Sequence, residues 1–165
     1  MEATKSPRAI ALTILVATLV AGTVDMAEVC VYWAITKGVA PERIFQSVAS
    51  GLLGKAAFRG GAQTAALGLT LHFGIMAVMA TVYVLASLRL PILTRKPVLM
   101  GIGYGLATYC VMNYGVLPLS QARHGGPFVL PVFLNAVFAH VAMVGLPIAL
   151  IAAWRERKLA QAVVA

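Results

Sequence analysis

Apolar and polar positions along the chain fall into long blocks. Residues 67–89, LGLTLHFGIMAVMATVYVLASLR, carry no charge until their last position. A helix of about 20 apolar residues crosses the roughly 30 Å hydrocarbon core of a bilayer. Three further blocks share this character, so the pattern predicts four spans at 9–35, 62–87, 98–119 and 127–154. The segment 36–61, TKGVAPERIFQSVASGLLGKAAFRGG, is too polar to span. Pro41 and Glu42 suit a first helical turn. Ile44, Phe45, Val48, Leu52 and Leu53 then recur near the helical period. This predicts an amphipathic helix over 41–58 lying in the membrane interface. Ile44, Val48 and Leu52 would be buried, with Lys55 and Arg59 at headgroup level.

The connections are short. Pro91 and Pro97 stop a helix within the basic turn LRLPILTRKP, and SQARHGG at 120–126 joins the last two spans. His124 in that turn reads as a solvated loop residue. The expected fold class is therefore an all-α integral membrane four-helix bundle, a single domain over 1–165. The interfacial helix would lie between spans one and two.

Composition supports the same picture. Hydrophobic residues make up 61% of the chain and charged residues 11%, with a mean hydropathy of +0.90. A soluble domain carries about 25% charged residues, so lipid must cover much of this surface. The net charge of +8 comes from Lys and Arg placed between and beside the apolar blocks. There they act as topology signals and headgroup contacts. No basic stripe is interleaved with aromatics, which argues against nucleic acid as a partner. Cys30 and Cys110 sit inside apolar blocks and read as small hydrophobes, not as a disulfide framework. The basic start and Val20-Ala21-Gly22 outline a signal peptide. The apolar run continues through Tyr32 and Trp33, so a span is expected instead.

QSVASGLLGKAAFRGG at 46–61, VMNYGVLPLS at 111–120 and HVAMVGLPIAL at 140–150 carry a resemblance. With the four-span layout, they make the chain similar to a family of uncharacterised small bacterial inner-membrane proteins with four transmembrane helices. The resemblance implies the fold and an inner-membrane location. It implies no catalytic residue, substrate or cofactor.

Ionisable groups at membrane depth are costly, face the bundle interior and mark function. The candidates are Asp25, Glu28, His72 and His140, with Asn113, Asn135, Tyr104, Tyr109 and Gln63 as neutral partners. A rise of about 1.5 Å per residue places a polar group of every span in one outer-to-middle layer. Asp25 and Glu28 share a helix face. Two carboxylates in low dielectric cannot both ionise cheaply, which suits proton exchange. Alternatively, Asp25 bonds a neighbouring helix while Glu28 turns outward or pairs with Arg59. His72 and His140 admit three readings: axial ligands of a haem, ligands of a divalent metal, or donors of interhelical hydrogen bonds. Gly68, Gly74 and Gly145 would give a haem room. Gly101, Gly105 and Gly145 read more simply as helix-packing positions, and Pro147 as a kink. His72 precedes Arg89 by the distance that His140 precedes Arg157, which suggests two hairpins of like orientation.

No Walker loop, GxSxG, HExxH or CxxC motif is present, so the chain shows no soluble-enzyme signature. Passage or binding of a small solute, ion or proton is the expected function, through Asp25, His72, Asn113 and His140. A homo-oligomer would supply the room for a pathway. A haem or metal protein, and an accessory membrane protein without chemistry, are the alternatives.

Orientation follows from Lys and Arg placement. Lys5, Arg8, Arg89, Arg95, Lys96, Arg155, Arg157 and Lys158 fall on the side of the termini, and Lys37, Arg43, Lys55, Arg59 and Arg123 on the other. The excess puts both termini in the cytoplasm. In a background lacking Cys30 and Cys110, an impermeant thiol reagent should spare Ser6→Cys in intact cells and label it once the membrane is permeabilised. Labelling at position 6 in intact cells would reverse the orientation.

Overall fold

Ser6 opens the first helix. Its Oγ accepts the Ala9 N–H at 3.2 Å, and Pro7 follows with the φ that a first turn needs. Helix α1 then runs over Pro7–Lys37 and ends at Gly38, whose φ of 64° lets its N–H return to the Ala34 carbonyl. The computed structural model describes residues 6–122 and 126–164. Lys5, Arg123 and His124 lie outside the described residues.

The other elements are α2 (Pro41–Leu53), a 3-10 segment (Gly54–Arg59), α3 (Gly61–Ser87), α4 (Ile92–Arg95) and α5 (Pro97–Cys110). They continue with a π turn (Val111–Val116), α6 (Leu117–Leu119), α7 (Leu130–Phe138), a second π turn (Ala139–Gly145) and α8 (Leu146–Val164). Every element among the described residues is helical. Three helical stretches are long and apolar enough to cross a membrane: α1, α3 and the continuous Leu130–Lys158.

The stretch expected as the third span is helical over Pro97–Leu119, but it is not one regular α-helix. It widens into the π turn just before Leu117-Pro118. The last stretch widens likewise just before Leu146-Pro147, in place of a simple kink. Proline lacks an N–H, and its ring crowds the carbonyl four residues back. A π turn relieves that crowding without breaking the helix.

Helix α2 also differs from expectation. It stops at Leu53, because Gly54 takes a φ of 55° that turns the chain. Its buried residues are Ile44, Gln46, Ala49 and Ser50, while Val48 is half-buried and Leu52 is 55% exposed. The cause is the surface it meets. Gly68 of α3 lies against the Phe45 carbonyl and the Ala49 N–H, so small residues face the crossing and the leucines turn away. Gln46 closes this hairpin by donating to Gly61 O at 3.2 Å and Glu42 Oε1 at 3.3 Å. Arg43 donates to Phe58 O at 3.0 Å and covers the Phe58 ring.

The core joins Ala17 and Ala21 of α1, Met76, Met79, Ala80, Tyr83 and Val84 of α3, and Val144, Ile148, Ala149 and Ala152 of the last stretch. Helix α1 packs between α3 and that last stretch, and α5 packs on the last stretch from the other side. Both pairings are antiparallel. Gly22 meets Phe73 and Met76, while Gly105 meets His140 and Val141 and Gly101 meets Gly145 and Ala149. Helices α3 and α5 do not pack closely. They are joined by the Tyr104 hydroxyl, which donates to Met79 O at 2.7 Å, and by the edge-on Tyr83–Tyr104 ring pair at 4.9 Å.

A Cβ at Gly145 would collide with the Gly101 carbonyl and the Gly105 backbone, whereas one at Gly74 meets nothing within 4 Å. Gly145→Ala should therefore destabilise the purified protein by about 1–3 kcal/mol, as overpacking does. Gly74→Ala should be neutral or slightly stabilising, from better helix propensity. Thermal unfolding in detergent compares the two; equal midpoints would refute the crossing.

Candidate buried polar site

Close approach of α1 and α3 creates the site. A Cβ at Gly22 would stand 2.6 Å from Phe73 Cε1, so the Phe73 ring packs directly over the glycine backbone of α1. The Gly22 carbonyl thereby lies 2.8 Å from His72 Nε2. His72 is 7% exposed, and its other nitrogen, Nδ1, lies 4.0 Å from Asp25 Oδ2. That carboxylate is itself 13% exposed on its side chain. His140, from the second π turn, stands near enough to Asp25 to act on it electrostatically, and so does Glu28.

Glu28, one turn beyond Asp25, points to a different neighbour, the Asn135 amide of α7. Its Oε2 is buried with no hydrogen-bond partner among the described residues. The same holds for Thr18 Oγ1, one turn before Gly22. The two carboxylates thus share a helix face but diverge, one towards the histidines and one towards Asn135. Glu28 forms no ion pair with Arg59 among the described residues.

His140 Nδ1 lies 2.9 Å from Ala136 O in its own helix, and its ring meets Tyr109 edge-on at 5.5 Å. Asn113 donates from Nδ2 to Tyr109 O at 3.0 Å, again within its own helix. Asn113 is therefore near the His140 side of the layer but is not bonded to Asp25 or His72. Tyr104 serves the α3–α5 link, and Gln63 is exposed at the start of α3.

These contacts assign the histidine tautomers. A carbonyl only accepts, so His72 must carry its hydrogen on Nε2 and His140 must carry one on Nδ1. In the neutral ring, the remaining nitrogen is a bare base. For His72 that base is Nδ1, which faces Asp25. The pair can hold one proton on either the carboxyl or the imidazole. A distance of 4.0 Å exceeds a direct hydrogen bond, so transfer needs a bridging water or a small side-chain movement.

The donor set does not fit a metal. Among the described residues no three His, Cys, Asp or Glu side chains are grouped to hold one ion. The glycines that would make room for a haem are otherwise engaged, Gly68 against α2 and Gly145 against α5; Gly74 alone is open. Cys30 is half-buried and Cys110 exposed, both as free thiols.

Comparison with protein-family models, curated proteins and solved structures finds no match. The site is therefore read from its own geometry. The Gly22 carbonyl is its least legible part, because a backbone acceptor leaves no residue-type signal. The stripe Thr18, Gly22, Asp25 at i, i+4 and i+7 is the trace the chain carries of it.

Nitrogen-15 spectra of histidine-labelled protein should show His72 as the Nε2–H tautomer and His140 as the Nδ1–H tautomer at neutral pH, assigned through His72→Gln and His140→Gln. The opposite tautomer at either position would contradict the hydrogen bonds described.

Proposed function

We propose that the chain is a four-span membrane bundle that takes up and releases protons at the Asp25–His72–His140 cluster. One observation carries this reading: Asp25 Oδ2 faces His72 Nδ1 across 4.0 Å in a buried setting, with a second imidazole near the same carboxylate. A carboxylate and two imidazoles at membrane depth are the usual parts of a proton relay.

The fourth crossing is Pro97–Leu119. At about 1.5 Å per residue this stretch reaches roughly 35 Å, enough for the hydrocarbon core. Its proline and π turn explain why it is not a regular α-helix. In this reading α2 lies near the interface, with Leu52 and Leu53 outward to lipid and Glu42 and Arg43 to water. Basic residues place both termini in the cytoplasm. The resemblance noted in three segments supports a bacterial inner membrane. One protomer encloses little room, so a pathway between copies of the chain is part of the proposal.

A second reading has a specific observation behind it. The His72 Nε2–H bond to Gly22 O ties α1 to α3, as a purely structural histidine would. The chain would then be an accessory membrane protein without chemistry.

Reconstitution separates the two. Vesicles loaded with a pH-sensitive dye and given a potassium diffusion potential should show protein-dependent proton entry. Asp25→Asn should reduce it to the protein-free rate while leaving detergent elution and helical content unchanged, since Asn keeps the volume and an acceptor. Wild-type entry at the protein-free rate would leave the structural reading standing.

A further inference from the structure

Helices α3 and α5 make little direct contact. The cleft between them has a volume of about 230 Å³ and is lined by Val82, Tyr83, Ala86, Leu93, Met100, Gly103 and Tyr104. Pockets for whole drug-sized ligands run roughly 300–1,000 Å³, so this one suits a length of hydrocarbon chain. Its floor is the edge-on tyrosine pair. Neither hydroxyl has a hydrogen left to donate to a ligand, because Tyr83 donates to Leu93 O at 2.9 Å and Tyr104 to Met79 O at 2.7 Å. The walls are almost entirely apolar.

One end of the cleft is basic. Leu93 brings α4 into the wall; Arg95 ends that helix and Lys96 caps it. Arg89 follows Ala86 by three residues at the end of α3. All three are exposed, and none has a carboxylate or other side-chain partner among the described residues. Among the described residues, Glu156 is the one acidic residue on the side of these cations, and it stands between Arg155 and Arg157. An apolar cleft opening beneath unpaired cations is complementary to a molecule with a hydrocarbon tail and an anionic head.

We propose that the α3–α5 cleft binds an anionic phospholipid, one acyl chain lying over Tyr83 and Tyr104 and its phosphate held by Arg89, Arg95 and Lys96. The inference rests on the membrane reading above and not on the proton reading. Gly103 sets the depth of the cleft, since a Cβ there would meet nothing within 4 Å. A larger side chain at that position would fill the groove without touching the core.

Native mass spectrometry of the detergent-purified protein, titrated with phosphatidylglycerol or phosphatidylcholine, tests the site. Wild type should retain one phosphatidylglycerol with at least about fivefold preference, as expected for one or two cations at a headgroup. Gly103→Leu should lose retention of both lipids. Arg95→Gln with Lys96→Gln should lose only the preference. Equal retention of the two lipids by wild type, or unchanged retention by Gly103→Leu, would overturn the proposal. A protein that leaves the membrane fraction on alkaline washing would instead overturn the membrane reading, and that outcome is read separately.

Discussion

Backbone-to-backbone contact at Gly101, Gly105 and Gly145 is the constraint on which the rest depends. In lipid, helices gain nothing by hiding apolar side chains from one another, so association rests on close packing and polar ties. A Cβ at Gly105 would meet the His140 carbonyl and Val141 Cα, and one at Gly145 would meet Gly101 and Gly105. Helix α5 is thus set directly against the π turn that carries His140. Helix α1 packs on the same turn from the other side. The glycine crossing therefore holds the backbone that carries His140. At the other contact the Gly22 carbonyl itself receives the His72 Nε2–H bond at 2.8 Å.

Most polar groups in the layer are answered by backbone. Thr13 bonds Ala9 O, Asn113 bonds Tyr109 O, His140 bonds Ala136 O and His72 bonds Gly22 O. Such bonds restrain side chains, and in low dielectric they are stronger than in water. What remains is a short set of groups without protein partners or with distant ones: Asp25 with the His72 Nδ1, Glu28 Oε2 and Thr18 Oγ1. Buried polar groups without partners are rare and mark places where a proton, ion or water belongs. Thr18, Asp25 and Glu28 lie on α1, while Arg155 Nε, also buried without a partner among the described residues, lies on α8.

The helical class and three long apolar helices were legible in the sequence, because hydrophobic length alone decides them. Asp25 and His72 were legible as neighbours, since matched depth on consecutive antiparallel helices leaves few alternatives. The face of α2 was not. Periodicity showed where its apolar residues lie, but Gly68 of a distant segment decides which side is buried, and it selects Ala49 and Ser50 over Leu52. The regularity of 98–119 was overestimated for a related reason. Pro118 announces a disturbance, yet nothing local says that a π turn will absorb it. Asn113, expected in the same polar layer, has its amide bonded within its own helix, to Tyr109 O, which sequence spacing does not reveal.

The two π turns bear on function through their position. Each ends immediately before a Leu-Pro pair, and each contains one of the polar residues, Asn113 in the first and His140 in the second. Widened backbone inside a membrane is tolerated where protein, not lipid, surrounds it. The second turn meets that condition, pressed between α1 and α5. The first is more open, with Val111 and Tyr114 exposed, and Tyr109 just before it reaches His140 through its ring. Proline thus has two effects on the same helix. It loosens the ladder one turn away, and it displaces a polar side chain from the position a regular helix would give it. In the last stretch the polar residue inside the widened turn is His140, and both its carbonyl and the turn's last residue, Gly145, lie against α5, so the turn that carries the imidazole is the one α5 holds.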